Sequence, residues 1–81
     1  MGQSSLITRT SDSWITTKVK SLLMTRQGVP GTHIKVITEN GVVYLMGIVS
    51  RKQGYKAARI SSRVAGVLKV VKLFEYTHQA S

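Results

Sequence analysis

Thr38-Glu39-Asn40-Gly41-Val42-Val43-Tyr44-Leu45-Met46-Gly47-Ile48-Val49 has the pattern of a β-hairpin. Asn40-Gly41 supplies the two positive φ values of a type I′ turn, which matches the twist of the strands it joins. Upstream, residues 34–39 (Ile-Lys-Val-Ile-Thr-Glu) read as the first strand, and Val42 to Val49 as its antiparallel partner. Because side chains alternate along a strand, Val43, Leu45, Gly47 and Val49 share one face. Gly47 on that face would let a helix approach the backbone. Ile37, Val42, Tyr44, Met46 and Ile48 fall on the other face, more apolar area than a solvated sheet carries, so it reads as a docking surface.

A helix is expected on each side of this hairpin in sequence. Before it, Ser11-Asp12-Ser13 offers N-cap oxygens, with Asp12 also suited to the positive end of the helix dipole. Ile15, Val19, Leu22 and Leu23 then recur as one apolar stripe, so a helix is predicted from about Asp12 to Arg26. Gly28 is expected to end it, and Val29-Pro30-Gly31 to form a type II turn. After the hairpin, Ser50 is a candidate N-cap for a second helix over about Arg51 to Ala65, with Ala57, Ile60, Ser61 and Val64 facing inward. Gly66 is expected to close that helix in the left-handed conformation. Val67 to Tyr76 then read as a third strand.

The order is α-β-β-α-β, an α+β fold with a three-stranded mixed sheet and both helices packed on one face. Residues 1–10 are polar and aperiodic, with only Leu6 and Ile7 where a secretory leader carries about 7–15 apolar residues, and read as a disordered tail or linker. Residues 11–77 form the domain, and 78–81 a polar tail.

At 81 residues without cysteine, the chain is one domain with a small core and no disulfides, which suits a binding module better than an enzyme. Twelve Lys and Arg against three acids give a net charge of +9, which favours a polyanionic partner. Asp12, Glu39 and Glu75 sit in different elements, and His33 and His78 are isolated. No catalytic, metal or cofactor site is expected.

The hairpin resembles the central hairpin of BON domains, whose G-x-V-x-L-x-G-x-V pattern is met by Gly41, Val43, Leu45, Gly47 and Val49. Ala57, Ile60, Val64, Gly66, Val67 and Val70 match the family's following A-x-x-I-A-x-x-V-x-G-V-x-x-V run, with Ser61 in place of the usual alanine and Lys72 where Asn is common. The stretch Asp12-Ser13-Trp14-Ile15-Thr16-Thr17-Lys18-Val19-Lys20 is similar to the second BON domain of the dual-BON outer-membrane lipoproteins of Gram-negative bacteria. That resemblance implies a periplasmic domain, peripheral to the outer membrane, which binds anionic phospholipid such as phosphatidylglycerol and supports envelope integrity. Carried over by position, Trp14, Thr17, Lys20 and Met24 would face lipid, with Lys18 and Lys20 supplying attraction.

The residues give a parallel reading. At 100° per residue Thr17 and Met24 project opposite the first helix's core stripe, with Trp14, Lys20 and Ser21 on their flanks. Trp favours membrane interfaces, and lysine stems lie along apolar surface while their ammonium groups meet phosphates. The alternative is that Trp14 caps the edge of the core. Lys52, Lys56, Arg59 and Arg63 make a basic stripe on the second helix, either a contact for an anion or a solvated face. Ile37, Tyr44, Met46 and Ile48 are the candidate interface residues of this face, for a second BON domain, a second copy or an envelope protein, the alternative being a tail or helix of the chain folded back over it. Gly28-Val29-Pro30-Gly31 matches the G-x-x-G of nucleic-acid-clamping KH loops only formally, because it leads from a helix to a strand and Pro30 lacks an amide. Nucleic-acid binding is the runner-up.

Overall fold

The computed structural model describes residues 11–77. The expected tails at 1–10 and 78–81, and with them His78, lie outside the described residues. Helix α1 spans Asp12–Thr25, strand β1 Lys35–Glu39, strand β2 Val42–Val49, helix α2 Arg51–Ser62 and strand β3 Lys69–Tyr76, with a short 3-10 turn at Gly31–His33. This is the α-β-β-α-β order of the sequence reading. The strand order is β1-β2-β3, antiparallel between β1 and β2 and parallel between β2 and β3, so α2 is the crossover that parallel pairing requires. β1 and β3 are the two edges.

Local chemistry accounts for each element. Ser11 accepts a hydrogen bond from the Trp14 amide at 3.1 Å and caps α1. Ser50 and Gln53 form a reciprocal capping box at the start of α2. The hairpin turns on Asn40 at φ 52° and Gly41 at φ 82°, the positive pair of a type I′ turn. Asp12 does more than face the helix dipole. Its carboxylate accepts from the Asn40 amide at 2.8 Å and the Gly41 amide at 2.9 Å, fastening the start of α1 to the tip of the hairpin. Thr16 donates to Thr38 at 2.8 Å and ties the next turn of α1 to β1.

The core lies between the helices and one sheet face. Ile15, Val19 and Leu23 of α1 are buried against Val36, Val43, Leu45 and Val49, joined by Ala57 and Val64. Ser61 is fully buried, and its hydroxyl donates to the Ala57 carbonyl at 2.8 Å, so the serine carries no unmet polar group into the core. Gly54, also buried, lets the rings of Phe74 and Tyr76 pack on the helix backbone, where an added Cβ would lie 2.9 Å from Phe74 Cδ2.

The structure corrects four local expectations. Pro30, at φ −81° and ψ 71°, does not enter a type II turn. It centres an inverse γ-turn closed by Gly31 N donating to the Val29 carbonyl at 2.9 Å. α1 ends at Thr25 with Arg26 as its extended C-cap, before Gly28 is reached. α2 ends at Ser62, because Arg63 and Val64 bond back to Ile60 and Ser61, tightening the last turn. Gly66, at φ 93°, therefore turns the connecting loop and does not stop the helix. Finally, what approaches Gly47 is not a helix packed over the sheet. It is the chain entering β1: a Cβ at Gly47 would lie 2.5 Å from the His33 carbonyl oxygen.

Candidate functional site

On α1 the side chains opposite the core stripe stand out from the domain. Trp14 keeps 46% of its surface exposed and Met24 58%. Thr17, Ser21, Lys18 and Lys20 are exposed as well. One helix face therefore presents an indole and a thioether among lysines.

The α2 stripe is only partly brought together. Lys56, Arg59 and Arg63 line a cleft of about 190 Å³ over the half-buried Ile60, and the cleft's other wall is Arg26 at the end of α1. Lys52 lies outside it. Lys56 Nζ donates to the Gln27 carbonyl at 3.4 Å, and the Arg59 guanidinium stands 5.9 Å from the centre of the Tyr55 ring. Among the described residues no carboxylate lines the cleft.

The sheet face away from the helices carries Ile37 and Ile48, exposed at 41% and 64%, beside half-buried Tyr44 and Met46. Across the parallel register, Tyr44 pairs with Val71, Met46 with Leu73 and Ile48 with Glu75, so β3 extends the apolar area. Leu73 is 52% exposed.

Two features escape the sequence reading. Arg26 joins the basic cleft only because the antiparallel helices pack side by side. Leu68, 79% exposed, donates its amide to the Gly41 carbonyl at 2.8 Å and so sits beside the hairpin tip, near the start of α1. Among the described residues no cluster of His, Asp or Glu forms a metal site, and no helix is long and apolar enough to cross a membrane.

The BON domain profile matches residues 11–78, and the chain belongs to the BON domain family. Among its relatives is the outer membrane lipoprotein DolP of Haemophilus influenzae, 49% identical over 65 residues, which cover 80% of this chain and 34% of that protein. The 21 kDa hemolysin of Actinobacillus pleuropneumoniae has the same identity and coverage. An uncharacterized protein in the gshII 5′ region of Anaplasma centrale is 35% identical over 68 residues, 83% of this chain and 45% of that one. The chain thus spans about a third of the length of the first two relatives.

Proposed function

We propose that this domain is a non-catalytic module that binds anionic phospholipid, such as phosphatidylglycerol, at a bacterial envelope membrane. It acts in the periplasm, peripheral to the outer membrane, and supports envelope integrity. The observation that carries this reading is the outward face of α1, where exposed Trp14 and Met24 lie among Lys18 and Lys20. Lysines near an anionic surface contribute about 1 kcal/mol each. The indole and thioether then reach the headgroup and acyl boundary, while Thr17 between them neither blocks the approach nor adds charge. The relative named an outer membrane lipoprotein supports the compartment.

An NMR titration tests it. With phosphatidylglycerol micelles, amide shifts should centre on α1, and zwitterionic micelles should give weaker shifts at the same residues. Shifts confined to α2, produced by an oligonucleotide and not by phosphatidylglycerol, would reverse the reading in favour of nucleic acid.

Among the described residues nothing covers the sheet face away from the helices, which supports a second contact, with a further domain or an envelope protein. In isolation the domain should then self-associate weakly through Ile37, Tyr44, Met46 and Ile48. Sedimentation velocity is expected to rise with concentration for the wild type and not for Ile48→Lys. A wild-type profile independent of concentration into the millimolar range removes this contact.

A further inference from the structure

We propose that the cleft between the end of α1 and the outer face of α2 is a binding site for a phosphate ligand, a single group or a linked pair, that carries two or more negative charges in all. Three observations converge on it. The first is charge: Arg26, Lys56, Arg59 and Arg63 line one space of about 190 Å³ with no carboxylate among the described residues around it. Four cations held this close repel one another, and the free energy that an anion recovers is greatest when its own charge is multiple. A singly charged diester leaves most of that repulsion in place.

The second is donor type. Three of the four cations are arginines, whose planar guanidinium groups meet phosphate oxygens through paired N–H donors, while Lys56 adds a compact point charge. The third is positioning. Lys56 donates to the Gln27 carbonyl in the loop just past α1, and Arg59 is steadied by the Tyr55 ring. Both side chains are thus partly oriented before any ligand arrives. The half-buried Ile60 adds apolar surface beside the four cations. The cleft lies in the same helical layer as the outward face of α1, but its chemistry does not depend on that face inserting into lipid.

Two sources supply such a ligand: a free phosphate compound, and a lipid headgroup whose paired phosphates carry one charge each. The test uses the whole chain at low salt, where screening is weakest. In an NMR titration with inorganic pyrophosphate, shifts should concentrate on the arginine side-chain resonances of Arg26, Arg59 and Arg63. The double variant Arg26→Gln/Arg59→Gln should bind pyrophosphate about tenfold more weakly, the loss expected for removing charge-assisted hydrogen bonds at an open site. Lys18→Gln/Lys20→Gln removes the same charge elsewhere and should change the affinity by less than about twofold. Phosphatidylcholine vesicles containing cardiolipin or phosphatidylglycerol at equal total charge separate the sources. A cardiolipin preference that disappears in the arginine variant assigns the site to a headgroup. Equal binding to both vesicles, with pyrophosphate still bound in the cleft, assigns it to a soluble phosphate. Equal loss of affinity in the two double variants, or shifts spread over all lysines, overturns the site in favour of diffuse charge. Cleft shifts with an oligonucleotide and none with pyrophosphate overturn it in favour of nucleic acid. Pyrophosphate needs no membrane, so failure here leaves the α1 contact standing, and failure of that contact leaves the cleft.

Discussion

Trp14→Glu is expected to abolish most binding to phosphatidylglycerol vesicles while leaving the melting temperature close to that of the wild type. The indole is nearly half exposed, and the hydrogen bond at this position is made by the backbone amide to Ser11, so the substitution leaves the buried stripe of Ile15, Val19 and Leu23 in place. A carboxylate in the first turn of a helix is also favoured by the dipole. Folding stability should therefore move by no more than about 0.5 kcal/mol, as for other surface changes. At the membrane the effects reverse: burial of a large apolar side chain, worth about 1.5–3 kcal/mol, is lost, and an anion is pushed against anionic headgroups. Together these amount to a loss of roughly thirtyfold or more in vesicle affinity. Lys20→Glu, also exposed, should weaken binding at low salt and recover as screening rises. Vesicle co-sedimentation and thermal unfolding by circular dichroism check both variants. A Trp14→Glu protein that melts far below wild type, or one that still binds fully, rules out the α1 contact.

Gly47→Ala should be strongly destabilising for a change that adds a single methyl group. Gly47 sits at φ 148°, and a Cβ there would lie 2.5 Å from the His33 carbonyl oxygen. The φ value alone strains an alanine by about 1–3 kcal/mol. Relieving the contact moves backbone, since the obstructing atom is not the end of a flexible side chain. We expect a loss of about 3–5 kcal/mol, a large part of the 5–15 kcal/mol typical of a folded domain. Urea denaturation followed by tryptophan fluorescence measures it, and a loss below about 1 kcal/mol would show that the entry to β1 yields easily.

Gly47 also marks the limit of what the sequence reveals. Strict alternation from Val43 to Val49 and the Asn40-Gly41 pair are local signals, and they suffice for the hairpin and its buried face. That alternation also implies that something approaches Gly47, but not what. The neighbour is set by how the chain turns at Pro30 and re-enters the sheet, a non-local event. The same holds for Asp12. Its place before an apolar stripe reads as a helix start, whereas its bonds to Asn40 and Gly41 arise only when helix and hairpin dock. The outward position of Trp14 and Met24 was legible from 100° periodicity alone, because the core stripe of α1 is unambiguous. Arg26 was not legible as a partner of Arg59 and Arg63, because pairing across two helices depends on their crossing and not on either pattern.

Among the described residues the strand order β1-β2-β3 leaves two backbone rows without a neighbouring strand, a standing invitation to templated growth of the sheet. β1 carries exposed Lys35 and Glu39 along its row, and β3 carries exposed Lys69, Lys72 and Glu75. An incoming copy aligned on either row would have to desolvate these charges or bring lysine against lysine, and both oppose continuous pairing. The domain is thereby biased away from fibril-like extension, even at the high local concentrations that a crowded membrane surface imposes on any protein held there.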